Sequence, residues 1–137
     1  MKRLLLGFVA GFFATLFFHQ PVLWLLHIAG ATPRGPYNMK AVAPLHVPSV
    51  ISLAFWGGVW GIIMIAALSK VPKGAAYYLI AAVFGAILPT LASWFISAPM
   101  HGQPAAVPKP PMMLIGFAVN AAWGLGTAIL YRAMARK

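Results

Sequence analysis

Apolar side chains run almost unbroken through four stretches of this chain, residues 4–28, 49–68, 75–97 and 112–134. Charged residues are confined to the ends of these stretches and the connections between them. Each stretch is about twenty residues or longer, and a helix needs roughly 20 to cross the ~30 Å hydrocarbon core of a bilayer. The pattern predicts four transmembrane helices and little protein outside them.

Charge strengthens this reading. The chain has ten Lys or Arg and no Asp or Glu, and 7% of its residues are charged, where a soluble domain has about 25%. A soluble surface needs charge of both signs. The 137 residues make one domain, and the expected fold class is all-α, an integral membrane four-helix antiparallel bundle. A formal charge of +10 raises the question of nucleic acid. The basic residues, however, sit in pairs and triplets at helix ends, so the predicted counter-charge is anionic lipid headgroups and no nucleic acid partner is expected. Met1-Lys2-Arg3 followed by Leu4-Leu5-Leu6 imitates a secretory signal, and Ala29-Gly30-Ala31 imitates a cleavage site. The first apolar run is longer than the ~7–15 residues of a signal core, so it reads as a retained first helix.

The cations also predict orientation. Lys2, Arg3, Lys70, Lys73, Arg132, Arg136 and Lys137 share one side if four helices cross, and Arg34, Lys40 and Lys109 fall on the other. The positive-inside rule places the seven-charge side, with both termini, in the cytoplasm. The predicted location is a bacterial inner membrane. The short turn Ser69-Lys70-Val71-Pro72-Lys73-Gly74 is expected to hold the second and third helices as antiparallel neighbours. The outer loops carry Pro33, Pro36, Pro44, Pro48 and Pro99, Pro104, Pro108, Pro110, Pro111, which predicts extended rather than helical chain.

Lipid gives helices no hydrophobic reason to associate, so small and polar residues carry packing. The first helix has Gly7, Gly11, Thr15 and His19 at successive i, i+4 positions; the second has Gly57, Gly58 and Gly61. The third has Ala86, Thr90, Ser93 and Ser97, and the fourth Gly116, Asn120, Gly124 and Ala128. These seams are the expected packing surfaces. His19 and Asn120 are polar side chains deep in their helices, so both are expected to face protein, with interhelical hydrogen bonds. Pro21 and Pro89 are expected to interrupt the first and third helices, freeing the carbonyls of Phe17 and Gly85.

A second level of pattern pairs Trp60-Gly61 with Trp123-Gly124, and Gly11-Phe12-Phe13-Ala14-Thr15 with Gly85-Ala86-Ile87-Leu88-Pro89-Thr90. Such matches suggest two copies of one helix hairpin and a pseudo-twofold bundle, though apolar sequence also produces them by chance.

Reactive groups are scarce. With no carboxylate and no cysteine, carboxylate dyads, Ser-His-Asp triads, Walker-type magnesium sites and thiolate metal sites are excluded. No enzyme activity is expected. Potent metal ligands reduce to histidine and methionine: His19, His27, His46, Met100 and His101, all on the predicted outer side, with Met39, Met112 and Met113. Thioether plus imidazole would suit copper, and two histidines would suit haem. His19 and His27 do not form an i, i+4 chelate, and an interfacial belt with Trp24 and Tyr37 is the competing reading. No cofactor is therefore expected.

Several strings have a familiar look: Phe18-His19-Gln20, Ala54-Phe55-Trp56-Gly57-Gly58-Val59-Trp60-Gly61, Leu88-Pro89-Thr90, and Asn120-Ala121-Ala122-Trp123-Gly124-Leu125-Gly126-Thr127. Together they resemble small four-helix inner-membrane proteins of proteobacteria that have no assigned activity. The resemblance implies a location and a helix count and supplies no functional residues. The leading expectation is a non-catalytic accessory or scaffold subunit that packs with itself or with a larger membrane complex. The alternatives are an oligomeric solute-permeation unit lined by Pro21, Pro89, His19 and Asn120, and a copper- or haem-binding protein using the outer His and Met residues.

Overall fold

The structure is a computed structural model that describes all 137 residues. It contains four helices, each long and apolar enough to cross a membrane: α1 (Lys2–Ile28), α2 (Ser49–Lys70), α3 (Ala75–Met100) and α4 (Pro110–Ala135). They form an all-helical bundle, and the protein is a multi-pass membrane protein. The bounds fall within a few residues of those expected from the apolar runs. Local chemistry sets them. Pro48 and Lys109 stand in extended backbone immediately before α2 and α4. Pro110 and Pro111 open α4, where a missing N–H costs nothing. At the end of α2, the Lys73 ammonium donates to the Leu68 carbonyl at 3.2 Å, the usual partner for a helix C-terminus.

Large apolar residues point outward from all four helices, among them Leu5, Phe17, Trp24, Leu53, Trp56, Leu79, Ile80 and Leu114. The interior is built from small residues and a few large ones: Ala10, Ala14, Met64, Ile65, Tyr77, Ala81, Trp123, Ala128 and Tyr131. This inverts the soluble pattern. In hydrocarbon, a leucine gains nothing by turning inward, whereas a small residue there lets two backbones approach.

The closest approaches occur within two hairpins, α1/α2 and α3/α4. A Cβ on Gly11 would strike the Gly57 carbonyl, and one on Gly61 would strike the Gly7 carbonyl. In the second hairpin, a Cβ on Gly85 would strike the Asn120 carbonyl, and one on Gly124 the Ala81 carbonyl. The alignment proposed from sequence pairs Gly11 with Gly85, Gly57 with Asn120 and Gly61 with Gly124. The same positions therefore make the crossing in both halves. The α3 seam runs through Tyr77, Ala81, Gly85 and Thr90, all buried; Ser93 and Ser97, expected on it, are exposed.

Two expectations about topology are corrected. First, α2 and α3 do not pack as neighbours despite their short connection. The helices lie in the order α2–α1–α4–α3, with α1 against α4 at the centre and α2 scarcely touching α3. Glycine pairs draw α1 to α2 and α3 to α4, while bulky residues such as Trp60 and Phe84 (ring centroids 6.3 Å apart) stand between α2 and α3. The α1/α4 contact has no equal at α2/α3, so the pseudo-twofold symmetry fails between the hairpins.

Second, Pro89 does not interrupt its helix as expected, whereas the first helix is irregular just before Pro21. Pro89 lies inside continuous α-helix. The irregularities are π-helical turns at Thr15–His19 in α1 and Ser93–Ser97 in α3. Each ends two residues before a proline, Pro21 and Pro99. In the wider turn, the Gln20 N–H reaches back to the Thr15 carbonyl. The next donor in that register would be Pro21, which has none, so the Leu16 carbonyl lacks a helix partner. The Tyr37 hydroxyl donates to it at 2.7 Å.

The first proline-rich loop is extended rather than helical, as expected, and folds back on itself through a turn as a small antiparallel ladder, β1 (Ala41–Val42) with β2 (Val47–Pro48). His46, at its turn, has φ 53°, the left-handed region that few side chains adopt.

Candidate functional site

Polar side chains gather in three places, and the expected site residues separate among them. In the interior between the hairpins, the Trp123 indole N–H donates to the Gly11 carbonyl at 3.0 Å. Thr15 Oγ1 donates to the same carbonyl at 3.1 Å. This seats the expected packing residues Gly7, Gly11, Thr15, Gly57 and Gly61 around one crossing. Within the second hairpin, Asn120 Nδ2 donates to Thr90 Oγ1 at 2.8 Å, an interhelical hydrogen bond as anticipated. Gly116 lies beside it, against the Thr90 methyl and Trp94. These bonds satisfy groups that hydrocarbon would leave unpaired. They hold helices together and offer no reactive atom.

The second place is the end of the bundle that carries the longer loops. His19 is half-buried, and its Nδ1 lies 3.1 Å from the side-chain nitrogen of the adjacent Gln20. The expected interhelical partner is replaced by a neighbour on the same helix. Gln20 itself is 2% exposed, and its Oε1 accepts the Tyr37 backbone N–H at 2.6 Å. Tyr37 thus clips the loop onto α1 through both its backbone and its hydroxyl. Sequence reasoning passed over Gln20. Its signal was its position, one step before the helix proline and one after His19.

The remaining candidate ligands are dispersed. His27 Nδ1 pairs with the Thr32 carbonyl at 3.0 Å, and His101 Nδ1 with the Ser97 carbonyl at 2.8 Å. His46 and Met100 are exposed. No three histidines come together in a group that could hold a metal. Of the residues expected as copper or haem ligands, His19, His27 and His101 each place Nδ1 against a group close by in sequence, and His46 and Met100 stand exposed. A cleft of about 190 Å³ does open at this end, lined by Ser49, Ser52, Trp56, Ser97 and His101 between the start of α2 and the end of α3.

The third place is the opposite end, where both termini lie. Arg3 Nε donates to the Tyr131 hydroxyl at 3.4 Å. Arg132 Nη1 donates to the Lys73 carbonyl at 2.9 Å and to the Tyr78 hydroxyl at 3.0 Å. The Lys73 ammonium stands 4.1 Å from the centre of the Tyr77 ring, a cation–π contact. Burial pushes the Lys73 amine below the ordinary lysine value, and the nearby Arg3 and Arg132 charges push it further. Tyr77 is fully buried, and its hydroxyl has no hydrogen-bond partner. Sequence reasoning assigned Lys73, Arg3 and Arg132 to topology alone and gave the tyrosines no part.

No family model, curated protein or solved structure matches this chain. The site geometry is therefore the sole ground for a functional reading.

Proposed function

We propose that this protein is a non-catalytic accessory subunit of the bacterial inner membrane, with its termini in the cytoplasm. It would present the face shared by α2 and α3 to a transmembrane helix of a larger complex. One observation carries the reading: both hairpins close tightly on themselves, yet the two helices joined by the shortest loop are left almost unpacked against each other. That seam exposes Leu53 and Trp56, and Trp60 with Phe84 lies at its floor. The glycine pairs Gly7–Gly61, Gly11–Gly57 and Gly85–Asn120–Gly124 are consumed inside one chain. They are not left to drive association between copies, which favours a partner at the open seam over a glycine-packed homo-oligomer.

Site-specific photo-crosslinking in native membranes tests the proposal. A benzophenone residue at Leu53 or Trp56 is expected to yield a protein adduct of one common mass. The same probe at Leu114 or Leu79, exposed residues on other parts of the surface, is expected to label lipid. Lipid labelling alone at all four positions would refute the reading.

A further inference from the structure

The end of the bundle that carries the termini holds a cluster built almost wholly of donors. Arg3, Lys73 and Arg132 meet there from α1, the α2–α3 turn and α4, and the chain contains no carboxylate side chain to neutralise them. Their protein partners are two backbone carbonyls, two phenol oxygens and aromatic ring faces. A guanidinium carries five N–H donors, and Arg132 uses only Nη1. The hydroxyls of Tyr78 and Tyr131 accept from arginine, and the proton of each has no protein acceptor. The Tyr77 hydroxyl, near Tyr131, Arg132, Tyr78 and Arg3, is the one buried side-chain polar atom with no partner at all.

A buried hydroxyl without a partner, as at Tyr77, is costly, and the exposed Arg3 and Lys73 and half-buried Arg132 beside it have donors to spare. Three cations beside three phenol protons match one kind of ligand: a compact anion with several acceptor oxygens. We propose that Arg3, Lys73 and Arg132, with the hydroxyls of Tyr77, Tyr78 and Tyr131, bind a phosphate group supplied by the headgroup of an anionic phospholipid in the adjacent leaflet.

Placement supports the lipid as the source. Arg3 is in the first turn of α1, Tyr77 and Tyr78 are in the first turn of α3, and Arg132 is in the last turn of α4. That is the headgroup level of a spanning bundle, where aromatic and basic residues collect. A cleft of about 330 Å³ beside Arg3, floored by Leu4, Ile65 and Ala66, opens at the same level and gives an acyl chain an apolar path. The Lys73 ammonium over the Tyr77 ring is carried by an exposed, flexible side chain, so a phosphate oxygen can displace it to reach the hydroxyl. The site is independent of the α2/α3 seam and does not rest on the accessory-subunit reading.

The test is native mass spectrometry of the full chain, delipidated in mild detergent and titrated with phosphatidylglycerol, phosphatidylcholine or inorganic phosphate. One phosphatidylglycerol is expected to bind in preference to phosphatidylcholine. Tyr77→Phe, which keeps the ring and its packing, is expected to weaken binding about tenfold. Arg132→Gln should weaken it at least as much, with Arg132→Lys as the variant of choice if the glutamine form does not fold. The double variant Lys40→Gln/Lys109→Gln, at the opposite end, is expected to bind as the unmodified protein does. Unchanged binding in both Tyr77→Phe and a folded Arg132 variant would overturn the site. Equal retention of phosphatidylcholine would overturn the anionic preference. Saturation by inorganic phosphate at lower concentration than the lipid would overturn the lipid source and assign the phosphate to solution.

Discussion

The indole nitrogen of Trp123 on α4 lies 3.0 Å from the carbonyl oxygen of Gly11 on α1, 112 residues earlier in the chain. This buried hydrogen bond joins the two hairpins inside the bundle. The carbonyl is reachable because Gly11 has no side chain to shield it. Trp60, which the sequence alignment equates with Trp123, packs instead against Phe84. One tryptophan of the pair closes the α1/α4 interface, and the other marks the open α2/α3 seam.

Trp123→Phe removes that bond and part of a buried ring. The expected loss is about 1–3 kcal/mol, from cavity formation and an interhelical hydrogen bond together. Reversible unfolding in mixed micelles would measure it. Trp56→Phe, at an exposed position, is expected to change stability by less than about 0.5 kcal/mol.

The glycine crossings should respond to a single methyl group according to what that methyl meets. Gly11→Ala and Gly85→Ala drive Cβ into a facing backbone, which can yield only by separating the helices. Each is expected to cost about 1–3 kcal/mol or more. Gly116→Ala meets chiefly the Thr90 methyl, at 3.3 Å, and should cost much less. Thermal unfolding followed by near-ultraviolet dichroism in one detergent would rank the three. Equal effects would contradict the backbone contacts.

Asn120 and Thr90 are bonded side chain to side chain at 2.8 Å. Asn120→Leu and Thr90→Val are each expected to destabilise by about 0.6–2 kcal/mol, and the double variant by less than their sum. A double-mutant cycle with a coupling energy near zero would show that the bond contributes nothing in the bilayer.

Tyr37 serves the π-helical turn in α1. Tyr37→Phe leaves the Leu16 carbonyl without its donor and loosens the loop that Tyr37 clips to α1. Trypsin cleavage after Arg34 and Lys40, both exposed in that loop, is expected to accelerate about fivefold, corresponding to roughly 1 kcal/mol of lost hydrogen bonding. An unchanged cleavage rate would show that Gln20 alone fixes the loop.

Lys73 carries the pH prediction. Burial and the Arg3 and Arg132 charges lower its folded value, so the unfolded chain binds more protons in the interval just below the ordinary lysine value. Stability should therefore rise with pH through that interval and level off above it. At about pH 9 the Lys73 amine should acylate faster than Lys70, and Arg132→Gln should slow it by removing a positive neighbour. Peptide mapping after brief acetylation reads both effects.

The sequence alone determined the solvent and the elements. Four apolar runs without acidic residues leave hydrocarbon as the only medium in which they can stand, and a spanning helix must satisfy its own backbone, so number, type and length followed. The glycine positions and the Asn120 bond were also legible, because in lipid small and polar residues are the ones that mark contact. The pairing of helices was decided by tertiary structure. Lipid is as apolar as leucine, so hydrophobic periodicity does not say which face turns inward. A short loop set α2 beside α3 in sequence, but glycine crossings and the Trp123–Gly11 bond drew both toward α1 and α4. The donor cluster at the termini was hidden for the same reason. Arg3, the neighbouring Lys73 and Tyr77, and Arg132 come from three distant parts of the chain, and the order α2–α1–α4–α3 brings them to one place without an anion among them.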